Sequence, residues 1–207
     1  MTDQTIQIKA PNLQIAKFKI IGTAPFVQLR FSEKKKYEIQ KTHEAGSTNR
    51  SKKKKEARDF STEYEEAMYK SEEGWRGIPA AAFRNASISA CRTVGFKMTH
   101  AKLAVFVLPD GFDKDDATPL VRIYGKPEQV ISHVRNATGV VDLRTRAMWK
   151  KWHAEPRIQF DADMFSLTDV TNLLARVGKQ VGIGEGRPDG KTSAGVGWGL
   201  FDMEAPK

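Results

Sequence analysis

Glycine loses more conformational freedom on ordering than any other residue, so a cluster of glycines needs a physical reason. Residues 178–201 hold eight glycines in twenty-four positions, with Lys179, Arg187 and Lys191 among them. Clustered glycines let backbone N–H groups approach a ligand closely, and the concavities they form favour anions. The chemistry expected here is phosphate binding, with Gly184 and Gly186 supplying the close approach. The spacing argues against a mononucleotide. In Gly186-Arg187-Pro188-Asp189-Gly190-Lys191-Thr192, three residues rather than four separate the glycines. A phosphate-binding loop also follows a strand and opens a helix. This run follows a helical pattern and is too rich in glycine to continue as a helix. The expected anion is therefore a polymeric phosphate.

Two other segments carry groups suited to the same partner. Residues 34–58 hold ten Lys and Arg against three Glu, and Lys52, Lys53, Lys54 and Lys55 are consecutive. A basic run of this kind attracts a polyanion without reading its sequence. Further on, Trp149 and Trp152 interleave with Arg144, Arg146, Lys150 and Lys151. Aromatic rings among cations suit single-stranded bases when exposed, and Trp149 is the candidate stacking residue. The opposite reading, that these tryptophans belong to the core, rests on the usual burial of the type.

Catalytic patterns are weaker. His43, His100, His133 and His153 show no metal-binding spacing. His153 has the chemistry of a general base. Asp113, Asp115 and Asp116 follow Gly111, without the ligand pattern of a calcium loop. They are expected at a solvated hairpin tip. Cys91 is the only cysteine, which leaves no disulfide framework; it is expected as a small buried hydrophobe. No cofactor and no metal are expected.

The net charge of +9 over 207 residues points to a polyanionic partner. The opening residues are polar, and no stretch nears the roughly 18 apolar residues of a membrane span. The expectation is an intracellular, cytoplasmic protein with no membrane partner.

Elements that would position these groups follow from periodicity. Residues 14–22 alternate as a strand, and residues 26–31 continue extended. The span 32–74 is expected as a charged, partly flexible insertion within a single domain covering 1–207, with a helix-prone stretch over 61–70. Pro79, the following alanines and Gly95 mark a helix from start to stop. Residues 102–108 and 120–124 are expected to pair as a hairpin through Pro109-Asp110-Gly111. Residues 132–135, 147–152 and 157–161 are further strands. Ser166 and Asp169 announce a capped helix over 166–177, and residues 198–203 close the chain as a strand. The fold class is α+β. Without its insertions the order is β-α-β-β-α-β, a ferredoxin-like (RRM-like) plan, with a basic insertion after the first strand and extra strands before the last helix.

Two segments together resemble a known family. Ile78-Pro79-Ala80-Ala81-Ala82-Phe83-Arg84-Asn85-Ala86 is similar to the I-P-G-S-S-x-K-G-A-x-R helix start of the RAMP superfamily, CRISPR effector proteins with ferredoxin-like cores. Gly182-Ile183-Gly184-Glu185-Gly186-Arg187 and Gly195-Val196-Gly197-Trp198-Gly199-Leu200-Phe201 look like that superfamily's glycine-rich loop and following strand. The resemblance covers roughly a third of the chain. Ala80, Ala81 and Ala82 stand where the family has Gly-Ser-Ser, while Arg84 and Arg92 remain as phosphate contacts. The resemblance implies a non-catalytic backbone subunit, or a stand-alone relative such as a phage-borne one in its host's cytoplasm. Such a protein binds single-stranded RNA, or less readily DNA, and oligomerises along the strand within a larger ribonucleoprotein. The rival readings are a metal-independent endoribonuclease of the guide-processing type, and a structural subunit of a phage or other assembly.

Overall fold

The expected alternating run forms β1 (Leu13–Lys17) and β2 (Ile20–Gly22), with a break at Phe18 and Lys19. The computed structural model describes residues 8–31, 33–44, 46, 57–135, 139, 141–190 and 195–204. Thr23-Ala24-Pro25 leads into β3 (Phe26–Gln28), buried along its length. The charged segment is more regular than its composition suggests. It contains α1 (Glu33–Glu44) and α2 (Phe60–Glu66). Lys, Glu and Gln are good helix formers, and Gln40 donates to Glu44 one turn on, at 2.8 Å. Asp59 caps α2 by accepting the backbone N–H groups of Ser61 and Thr62.

After the short hairpin of β4 (Tyr69–Lys70) and β5 (Arg76–Pro79), Pro79 leads directly into α3 (Ala80–Ala90). A 3₁₀ turn over Cys91–Val94 follows, and Gly95 stops it in the left-handed conformation, with φ 69°. Next comes α4 (Met98–Ala104), which takes up residues 102–104, expected as the start of a strand, and leaves only Val105–Leu108 for β6. Helical spacing brings Ala101 and Ala104 inward together, which a strand would not do. Then come β7 (Gly111–Phe112), β8 (Pro119–Tyr124), β9 (Pro127–Arg135), β10 (Val141–Trp149), β11 (His153–Ala154) and β12 (Arg157–Asp161). Helix α5 (Leu167–Arg176) starts at the expected capping box of Ser166 and Asp169. A wide turn over Val177–Val181 succeeds it, and β13 (Phe201–Met203) is the last strand.

The strands pair antiparallel in three sheets. One runs β13-β2-β11-β8-β5-β4, with β7 also on β8; the others run β1-β12-β6 and β3-β10-β9. The first two are continuous through their chains, because β1 runs on to β2 and β11 runs on to β12. The two breaks face each other: the N–H of Phe18 donates to the carbonyl of Pro156 at 3.0 Å. Proline has no N–H for the ladder, which fixes the interruption at that point. The expected hairpin between residues 102–108 and 120–124 does not form. β6 pairs with β12, from Val105↔Phe160 to Leu108↔Arg157, and β8 pairs with β5, β7 and β11. Turn residues determine that the chain reverses; they do not determine which strand receives it.

The helical side of this sheet is the core. It gathers Ile20, Phe83, Ile88, Val121, Ile158 and Phe160 with Val170, Leu173 and Leu174 of α5. Each such side chain contributes about 1.5–3 kcal/mol by leaving water. Along β12 the burial alternates, so Ile158 and Phe160 face the core while Arg157, Gln159 and Asp161 face away. Ile15, Ile21, Phe106 and Arg122 are exposed. Among the described residues, no helix is long and apolar enough to cross a membrane.

Candidate nucleic-acid interface

The end of α3 meets the glycine run. Arg92, just beyond α3, places Nη2 2.6 Å from Oδ1 of Asp189. The other carboxylate oxygen of Asp189 accepts the Ser89 hydroxyl. Burial pushes the Asp189 carboxyl up. The Ser89 and Arg92 hydrogen bonds and the charges of Arg92 and Arg187 outweigh it, holding the group below its usual range. Arg187 donates to the carbonyl of Gly184 at 3.0 Å. Arg176, at the end of α5, reaches the hydroxyl of Thr93 at 3.5 Å. Two guanidinium groups, of Arg92 and Arg187, thus act on one carboxylate, leaving positive charge and N–H donors for an anion. The Arg92 side chain is 55% exposed.

The described residues of the glycine run are tied to their own protein at several points. The N–H of Glu185 donates to Val27 at 2.9 Å, and that of Gly199 to Pro25 at 2.7 Å. Arg146 of β10 grips the Glu185 carboxylate with two bonds of 2.7 and 2.6 Å. Gly184 has φ +79°, and a Cβ there would lie 2.5 Å from the Phe26 ring and 2.6 Å from the Val27 carbonyl. A Cβ at Gly186 would lie 2.4 Å from the Trp198 ring. Close packing against β3 and Trp198 is therefore what these two glycines permit within the fold. The open part of the run lies elsewhere. Gly197 has no heavy atom near its absent Cβ, and Val196 beside it is exposed.

The remaining predicted residues separate. Lys179 is exposed and lies 3.3 Å from Asp202 of β13. Arg84 is partly exposed and reaches across to the segment between α4 and β6. Its Nε donates to Val105 at 3.2 Å and its Nη2 to Lys102 at 2.5 Å, with the guanidinium 5.4 Å from the Phe106 ring centre. Arg84 thus fastens α3 to the junction of α4 and β6. Trp149 corrects the stacking expectation outright. It is fully buried, with its ring centre 5.5 Å from that of Phe26, and no base can reach it. Lys52, Lys53, Lys54, Lys55 and Lys191 lie outside the described residues.

Asp115 and Asp116 are exposed as expected of a tip, but Asp113 is withdrawn from solvent. Asp113 is buried and accepts Arg30 at 2.8 Å, Asp115 accepts Arg30 at 2.9 Å, and Lys36 lies 3.3 Å from Asp116. Burial alone would raise the Asp116 carboxyl. Hydrogen bonds from Thr118 and Lys36 outweigh it and bring it down to about 2. Among the described residues, no group of His, Cys, Asp and Glu is arranged to hold a metal ion. Cys91 is buried, which pushes its thiol up.

A feature that sequence reasoning missed lies on the open face of the sheet. The guanidinium of Arg122 sits 5.8 Å from the ring centre of Trp75 and 5.1 Å from that of Tyr124. Tyr124 in turn stacks on His153, with ring centres 4.6 Å apart and planes within 5°. The register His153↔Tyr124 between β11 and β8 sets that contact. Gly77, opposite Arg122 on β5, leaves room for the Trp75 ring, 3.1 Å from where its Cβ would stand. Alternation along residues 120–124 puts Arg122 and Tyr124 on one face, and this was legible. Nothing local brings Trp75 and His153 beside them.

No protein-family model matches this chain, and no curated protein matches it either.

Proposed function

We propose that this chain is a non-catalytic, single-stranded nucleic-acid-binding protein with a RAMP-like, ferredoxin-like core, favouring RNA over DNA and assembling along the strand. The observation that carries the reading is the meeting of Arg92 and Arg187 around Asp189. There the end of α3 meets the glycine run, the two stretches that carry the RAMP resemblance, and guanidinium groups are presented. The strand arrangement supports the core assignment. β13, β1/β2, β11/β12 and β6 lie side by side in that order, all antiparallel, with α3 and α5 as the crossover helices. That is the order a ferredoxin-like plan requires. Assembly is supported by β9, a nine-residue strand at the end of its sheet order. Such an edge is a template for pairing with another chain.

Binding of this kind works by counterion release, so affinity falls linearly on a logarithmic salt scale. Each single-strand phosphate contact contributes a slope of about 0.7. A titration of labelled oligonucleotide tests the reading. Arg92→Gln with Arg187→Gln is expected to lower the slope by about 1.4, and replacing Lys52, Lys53, Lys54 and Lys55 by Ala by up to about 3. Absence of binding to any oligonucleotide at low salt overturns it.

A further inference from the structure

We propose that the column of Trp75, Arg122, Tyr124 and His153 on the open sheet face is a base-binding site for the same single strand. The inference rests on the nucleic-acid reading above and adds a second contact, made to bases rather than phosphates.

The charges around the column favour a neutral planar group. Lys17 pairs with Glu155 at 2.5 Å, and Arg157 lies 3.5 Å from Asp110. Asp110 also accepts the backbone N–H of Arg122 at 2.9 Å. These ions neutralise one another, so the groove they line is not a phosphate site. Arg122 is the exception. It is exposed, and among the described residues its guanidinium has no carboxylate partner, only the two ring faces. A guanidinium is planar and delocalised, and it occupies ring faces much as a base does. A base takes that place between Trp75 and Tyr124, and the displaced guanidinium turns to the adjoining phosphate. Glu73, Asp110 and Glu155 at the rim accept exocyclic amino groups of the base. Tyr124 is backed by His153, which keeps its ring in plane and limits the entropy lost on stacking.

Stacking and phosphate binding separate on an abasic strand of equal length and charge. The full-length protein is expected to bind a base-bearing oligonucleotide roughly tenfold or more tightly than the abasic one. Tyr124→Leu shrinks that ratio severalfold and leaves abasic affinity unchanged. Trp75 provides a readout that needs no change at Tyr124. Its fluorescence is quenched by the base-bearing strand and not by the abasic one, and Trp75→Phe removes the quench. Equal wild-type affinity for the two strands, or no quench at saturation, overturns this site while leaving the phosphate reading standing. No binding to either strand overturns the phosphate reading itself. Quenching by free adenosine monophosphate at the same concentrations as the oligonucleotide overturns the polymer as the occupant.

Discussion

Arg30 carries its charge into the interior, with 5% of its side chain exposed, and meets Asp113, which is fully buried. A buried charge is tolerable only when paired and hydrogen-bonded. Asp113 supplies more than the pair, because its other oxygen accepts the backbone N–H of Lys70 at 3.0 Å. Asp113→Ala is expected to destabilise the protein by about 3 kcal/mol, measured by chemical denaturation. Asp116 makes the same region sensitive to acid. Its carboxyl sits at about 2 in the folded protein against an ordinary 3.8, so it contributes stability that is complete above the ordinary value. That contribution disappears as pH falls from about 4 towards 2. A series of melting temperatures checks the sign: Asp116→Asn should flatten the decline over that window. In the sequence these three acids look like a loop tip, since their partner Arg30 lies more than eighty residues earlier.

At the scale of elements, the glycine run is a strap across the end of β3 rather than a bare anion cradle. Its tight places and its open places predict different outcomes. Gly184→Ala meets both a forbidden φ and the backbone of Val27, so it is expected to cost about 2 kcal/mol or more. Because Arg187 is anchored on the Gly184 carbonyl, the same variant should weaken oligonucleotide binding. Gly197→Ala has φ +82° but open space around it. Strain alone makes it milder, about 1 kcal/mol. Parallel denaturation curves of the two variants check the contrast; equal losses would remove the strap from the account. α5, by contrast, needs no tertiary help to be recognised, because its capping box and apolar spacing are local.

For the whole molecule, the excess of positive charge and the edge of β9 bear on assembly. Protein purified at low salt is expected to carry nucleic acid, seen as a raised 260/280 nm absorbance ratio. It should elute as a large species that shrinks after nuclease treatment. A large species that nuclease leaves unchanged would favour assembly independent of nucleic acid. Local patterns in the chain specify helices α3 and α5, the capping box of α5, the stop at Gly95, most of the strands and the excess of basic residues. Those features depend on side-chain period, turn chemistry and composition within a few residues. Tertiary structure decided what the side chains meet. It buried Trp149, tied Arg84 to the carbonyls of Lys102 and Val105, and paired β6 with β12 rather than β8. It joined Ser89 and Arg92 to Asp189 about a hundred residues away. It also stacked Trp75, Arg122, Tyr124 and His153 on one face. Such contacts depend on strand register between distant segments, and no local pattern encodes it.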